Sequence, residues 1–188
     1  MHVPKPLYWL VQKLVPIACV DVLPWRQVDG RTEVCLIRRD GDGPTKNGWA
    51  LVGGAVKRGE ILEESVLRHL NETLEGDQLD WRVDEIDLEH PLHAAQYSPW
   101  GLRGHRPDSR KHAIALTFLV RLRSGKVRRA RGEADHFDWI TVDRIPDEHE
   151  FVFDHGSIVA TLLPSVVLAA QRKPAGTKAL TLGPAERR

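Results

Sequence analysis

The sequence predicts an α+β domain, with helices covering the faces of a mixed central sheet in an α/β/α sandwich. Three observations predict it. Runs rich in β-branched residues occur before residue 56 and again after residue 111. Between them lies a segment of helical period, and a long apolar segment closes the chain. A chain of 188 residues has the size of one domain, long enough to bury a core.

Taken in order, "MHVPKPLYWLVQKLVP" reads as a short amphipathic helix or docking arm over residues 1–15, ahead of a domain spanning 16–171. Gln12 and Lys13 interrupt its apolar portion and no small-residue cleavage site follows, so it does not read as an export signal. "IACVDVLPW" and "TEVCLIRR" form two adjacent strands around the polar "RQVDGR". The turn-rich "DGDGPTKNG" then leads into "WALVGG", a short strand ending at two glycines. Leu62, Val66, Leu70 and Leu74 recur every four residues, with Ile61 and Leu67 widening the stripe, and Gly76 is placed to stop that helix. One or two strands are expected in "WRVDEIDLEHPLHAAQYS", a buried strand over His112 to Leu122, and another in "DHFDWITVDRIP". "FDHGSIVATLLPSVVLAAQ" is the closing helix, with Pro164 expected to kink or split it. The segment 172–188 has little apolar content and is expected to be a disordered tail.

Lysine plus arginine number 27 against 26 aspartate plus glutamate, so no overall field draws the chain to nucleic acid or to an anionic membrane. An anionic ligand must be captured locally. Cys19 and Cys35 sit in apolar runs without zinc or redox spacing, as expected for buried thiols of a cytoplasmic protein. No apolar run approaches the roughly 20 residues that span a bilayer.

The stretch "GGAVKRGEILEESVLRHLNETLEG", Gly53 to Gly76, carries the chemistry. Glu60, Glu64, Arg68, Glu72 and Glu75 recur about one turn apart, so their side chains project in nearly one direction. Carboxylates behind a glycine-bent loop can hold a hard divalent cation against phosphate oxygens. The same row also fits a solvated helix face stitched by Glu64–Arg68 and Arg68–Glu72 pairs.

In that stretch Gly54, Glu60, Arg68, Leu70 and Glu72 fall in register with G-x5-E-x7-R-E-U-x-E-E-x-G-U, where U is a bulky apolar residue. The chain therefore resembles the Nudix hydrolase superfamily from about Pro16 to Gln171. The resemblance implies hydrolysis of a nucleoside diphosphate linked to another moiety, with Mg2+ or Mn2+ as cofactor. It implies Glu72 as a metal ligand and a backbone carbonyl near Gly54 as another, with Glu60 and Arg68 holding the loop to the helix. His69 and Thr73 stand where the family carries two glutamates, and Glu75 where it carries a glycine. Glu75 is a substitute ligand candidate, and His69 is a candidate base or a histidine at the rim of the apolar stripe.

Family members often carry an acid or histidine in the loop before the late strand. Glu133 and Asp135 are the metal candidates there and His136 a catalytic one; a surface hairpin is the alternative. In the GDP-mannose hydrolase branch, which this chain resembles in its lost glutamate and loop histidine, attack falls on the sugar carbon. Arg103, Arg106, Arg110 and Lys111, in a loop resembling one of ADP-ribose-type members, can grip phosphates. Trp49, Trp100 and Tyr97 can stack on a base. Two further readings remain: a domain that binds a nucleotide without cleaving it, and, ranked lowest, nucleic-acid binding through "RLRSGKVRRARG". The partner is thus a nucleotide-type small molecule, with no membrane, and the resemblance and the apolar amino-terminal arm together suggest a homodimer.

Overall fold

A computed structural model of the chain describes residues 5–39, 47–83, 86–87, 90–99, 106–108, 111–132 and 134–172. Helix α1 spans Lys5–Leu14. Strand β1 (Ile17–Val28) follows and returns as β2 (Arg31–Arg39) through Asp29 and Gly30, both at positive φ. That is the turn whose twist matches a hairpin. The glycine-ended segment divides into β3 (Gly48–Ala50), which pairs with β2, and β4 (Val52–Ala55), which pairs with β1. Helix α2 (Leu62–Thr73) is followed by β5 (Leu74–Arg82), β6 (His93–Ser98), β7 (Arg106–Pro107), β8 (Ala113–Ala130) and β9 (His136–Thr141). Helix α3 (His155–Gln171) closes the described chain.

The sheet is mixed. β1 runs parallel to β8 and antiparallel to β2 and β4. The two long strands each serve successive partners: β8 pairs with β6 along its first half and with β5 along its second. Alternation along β1 sorts the core into two layers. Ile17, Cys19, Leu23 and Trp25 pack with Ile158, Leu162 and Val166 of α3, whereas Val20 and Val22 pack with Val66 and Leu70 of α2. Helices thus cover both faces, as expected.

Two local expectations are corrected. The helix ends at Thr73, not at Gly76, and Leu74 already has extended backbone. Gly76 instead lies in β5, where a Cβ would collide with the Lys126 carbonyl of β8, so the glycine serves a close strand approach. Helix α3 is not split, since it runs through Pro164 with buried Leu162 and Val166 on either side. The basic run ranked lowest, as a nucleic-acid candidate, is the second half of β8, and it pairs with an acidic strand. Asp77 pairs with Arg128, Glu75 with Arg129 and Arg131, and Asp80 with Arg123 at 2.6 Å. Those pairs neutralise much of the charge such a patch would offer. Cys19 and Cys35 are buried free thiols, and no helix among the described residues is long and apolar enough to cross a membrane.

Candidate active site

The loop that follows the glycines is tied to α2 by one guanidinium. Arg68 donates from Nε to Glu60 Oε1 at 2.6 Å and from Nη2 to Glu60 Oε2 at 2.8 Å, a bidentate pair. The same Nη2 reaches the Ala55 carbonyl at 3.0 Å, while Nη1 donates to Glu72 Oε2 at 3.0 Å. Glu60 also accepts the Lys57 N–H at 2.9 Å. These hydrogen bonds, those from Arg68 first, pull the Glu60 carboxyl down to about 2. At the start of α2, Glu64 accepts the Ile61 N–H at 3.2 Å, and Ile61 has no side-chain acceptor to return the bond.

Glu72 lies between two cations, Arg68 and the Lys57 ammonium at 3.4 Å. Desolvation raises its pKa, but the Arg68 hydrogen bond and the two charges outweigh it, so the carboxyl titrates below its ordinary range. One turn away, His69 Nε2 donates to the Ala55 carbonyl at 3.2 Å. Burial first, then the Arg68 charge, lowers its pKa, leaving a neutral ring with Nδ1 as acceptor. A Cβ on Gly54 would come 2.6 Å from His69 Cε1, and one on Gly53 would come 2.6 Å from Asp21 Oδ1. Both glycines are needed for close approach.

Gly54, His69 and Glu72 therefore meet at one cleft of about 710 Å3. Lys13, Arg39, Lys111 and Arg131 also line it, Arg131 being paired with Glu75, and among the described residues Glu72 is the carboxylate that does so. The other candidates are placed elsewhere. Glu75 sits on β5, its carboxylate taken by Arg129 and Arg131, because the helix stops before reaching it. His136 begins β9, stacked on Phe137 and 6.5 Å from the Trp49 ring, and Arg38 lies 5.6 Å over that Trp49 ring. Neither His136 nor Trp49 lines the cleft. Tyr97 is buried. Asp135 is exposed, its N–H donating to the Arg38 carbonyl beside the cleft-lining Ala134. Arg106 enters β7 through its backbone, whereas Trp100, Arg103, Arg110, Glu133 and the tail beyond Arg172 lie outside the described residues.

Among the described residues no group of three or more His, Cys, Asp or Glu could hold a metal ion. Among the described residues the cleft offers one carboxylate, Glu72, already shared by Arg68 and Lys57, whereas a hard cation is held by one or two carboxylates completed by substrate phosphates and water.

A feature not expected from the sequence lies beneath the glycines, where an inner cavity of about 70 Å3 joins the cleft at Gly53 and Gly54. Asp21 of β1 and His155 of α3 meet there, Nε2 to Oδ2 at 3.8 Å. His155 Nδ1 accepts the Leu51 N–H at 3.0 Å, so its proton is on Nε2, toward Asp21. The signal was the lone acid inside the apolar "IACVDVLPW". Burial pushes the Asp21 carboxyl from 3.8 up to about 7, with Lys111 pulling the other way. The folded state then holds this proton more tightly than the unfolded chain. Its contribution to stability is complete below about pH 4 and is lost as pH rises through about 7. Asp21→Asn cannot ionise, so its melting temperature relative to the parent is expected to climb from pH 5 to pH 8. A difference constant with pH would contradict that ionisation.

Comparison with known proteins places this geometry among relatives. The family model of the NUDIX domain matches residues 17–162. An ADP-ribose pyrophosphatase of Methanocaldococcus jannaschii is 26% identical over 146 residues, covering 78% of this chain and 72% of its own. Among solved structures, a possible asymmetric diadenosine tetraphosphate hydrolase from Jonesia denitrificans aligns with a TM-score of 0.69 at 22% identity, covering 82% of this chain and 96% of that one. The NUDIX domain of Shewanella oneidensis NrtR, complexed with ADP ribose, aligns at 0.56 and 18% identity, covering 87% and 99%.

Proposed function

The chain belongs to the NUDIX domain family, and we propose that it hydrolyses the diphosphate bridge of an adenosine diphosphate derivative of the ADP-ribose or diadenosine polyphosphate class. The relatives named above supply the substrate class. The observation that carries the reading is the cleft itself, where Lys13, Arg39 and Lys111 line the same cavity as the ionised Glu72 carboxylate and the glycines Gly53 and Gly54. Its volume suits a nucleotide. Lys111 and Arg39 offset the charge of the bridging phosphates, the Arg39 guanidinium pairing with two oxygens at once. Glu72 accepts a proton from water as the water oxygen bonds to phosphorus. The P–O bridge bond breaks, its electron pair leaves with the departing phosphate oxygen, and the products are AMP and ribose phosphate from ADP-ribose, or two adenosine nucleotides from a diadenosine polyphosphate. The family's use of a divalent cation enters as a dependence to be measured.

A second reading has its own observation. His69 and Thr73 occupy the cleft beside Glu72 where the family has glutamates, which favours a domain that binds the nucleotide and leaves it intact.

One panel separates the two. The protein is incubated with ADP-ribose, diadenosine tetraphosphate, GDP-mannose and ATP, each with Mg2+, with Mn2+ and with EDTA, in water enriched in heavy oxygen. Release of AMP carrying solvent oxygen on phosphorus, or of a ribose phosphate or polyphosphate carrying it there, is the expected outcome. If nothing turns over while ADP-ribose raises the melting temperature, the binding reading stands instead.

A further inference from the structure

Helix α1 does more than lead into β1. It is amphipathic, and Val11 fastens it to the core layer that holds Ile17 and Cys19. Tyr8, Trp9, Gln12 and Lys13, spaced so as to share one helical face, line the same cleft as His69 and Glu72. Tyr8 and Trp9 are the aromatic side chains that line this cleft among the described residues. Trp9 is 61% exposed, an unusual state for so large an apolar ring at the mouth of a polar cavity. Lys13 adds to the cationic lining formed by Lys111, Arg39 and Arg131.

We propose that α1 is a wall of the substrate site, Trp9 and Tyr8 stacking on the nucleobase while Lys13 pairs with a phosphate oxygen. The chemistry fits the parts of one nucleotide. An aromatic face attracts any flat base through dispersion and stacking, with little dependence on hydrogen-bonding pattern. A lysine one turn along from Trp9 stands where the charged end of the same ligand would lie. Gly53 and Gly54 line the same cavity as this wall and as Glu72, where a diphosphate can approach the backbone closely.

The proposal rests on the cleft being the nucleotide site, and binding, not turnover, tests it. Calorimetric titration of the full chain with AMP, ADP and inorganic pyrophosphate compares ligands with and without a base. Trp9→Ala is expected to weaken AMP and ADP by about tenfold and leave pyrophosphate unchanged, with Trp9→Phe retaining most of the affinity. Lys13→Ala should weaken ADP and pyrophosphate alike, with a shallower salt dependence. Equal loss for all three ligands in Trp9→Ala, or unchanged AMP binding, would overturn the wall. Tighter binding in Trp9→Ala would overturn it too, since α1 would then be a cover that the ligand must displace. A base-dependent loss in a protein without turnover would leave the wall standing and remove only the hydrolase reading. Failure of the parent to bind any of the three would remove both.

Discussion

Glu72→Gln is expected to lower kcat/KM by roughly 10²-fold or more while moving the melting temperature by no more than about 2 °C. The asymmetry follows from where the carboxylate stands. It is half exposed, and its pairs with Arg68 and Lys57 are surface pairs of at most about 1 kcal/mol. Yet among the described residues it is the carboxylate that lines the cleft, held ionised by the same two cations. Glutamine keeps the shape and removes the proton acceptor. Steady-state kinetics on the turned-over member of the panel, beside a thermal melt, measures both halves. A kcat/KM within threefold of the parent would remove Glu72 from the chemistry.

Arg68→Ala should do the reverse of a surface change and destabilise the fold by about 2 kcal/mol, between the values for exposed and fully buried pairs. Its guanidinium holds Glu60, Ala55 and Glu72 together, and Glu60 would keep a partly buried charge without its main partner. The pH dependence gives a second readout. The Glu60 carboxyl is depressed from 4.5 to about 2 in the folded protein. Its contribution is therefore present above about pH 4.5 and is lost as pH falls toward about 2. The parent should lose stability through that window more steeply than Arg68→Ala, as read by denaturant melts at successive pH values. Equal slopes would mean that the pair is not coupled to folding.

What could be read from the chain depended on whether the partner of a residue lies nearby in sequence. The α2 stripe is local, four residues from Val66 to Leu70, and so are Arg68 and Glu60. Both the helix and the loop clamp were legible for that reason. Strand β5 was not, because its acids are satisfied about fifty residues away on β8; seen alone, "LEGDQLDWR" looks like a frayed helix end and a loop. The basic half of β8 was misleading for the same reason. At the site, Gly54, His69 and Glu72 came from one segment and were found together, whereas Asp21 with His155, and Trp9 with Lys111, are brought together only by the tertiary fold. Glu75 was assigned by extending a helical period past the point where backbone geometry changes.

The junction between Thr73 and Leu74 carries a consequence for how this protein can vary. Helix and strand meet there with no spacer, so the rotational phase of α2 is passed directly to the facing of β5. One residue inserted at the junction would swing the start of the strand by half a turn, turning Leu74 outward and Glu75 toward the core. To spare the strand, the helix would have to rotate by about 100°, taking His69 and Glu72 off the cleft. Length here is shared by both elements at once, so a substitution at the junction leaves the cleft in place where an insertion would not.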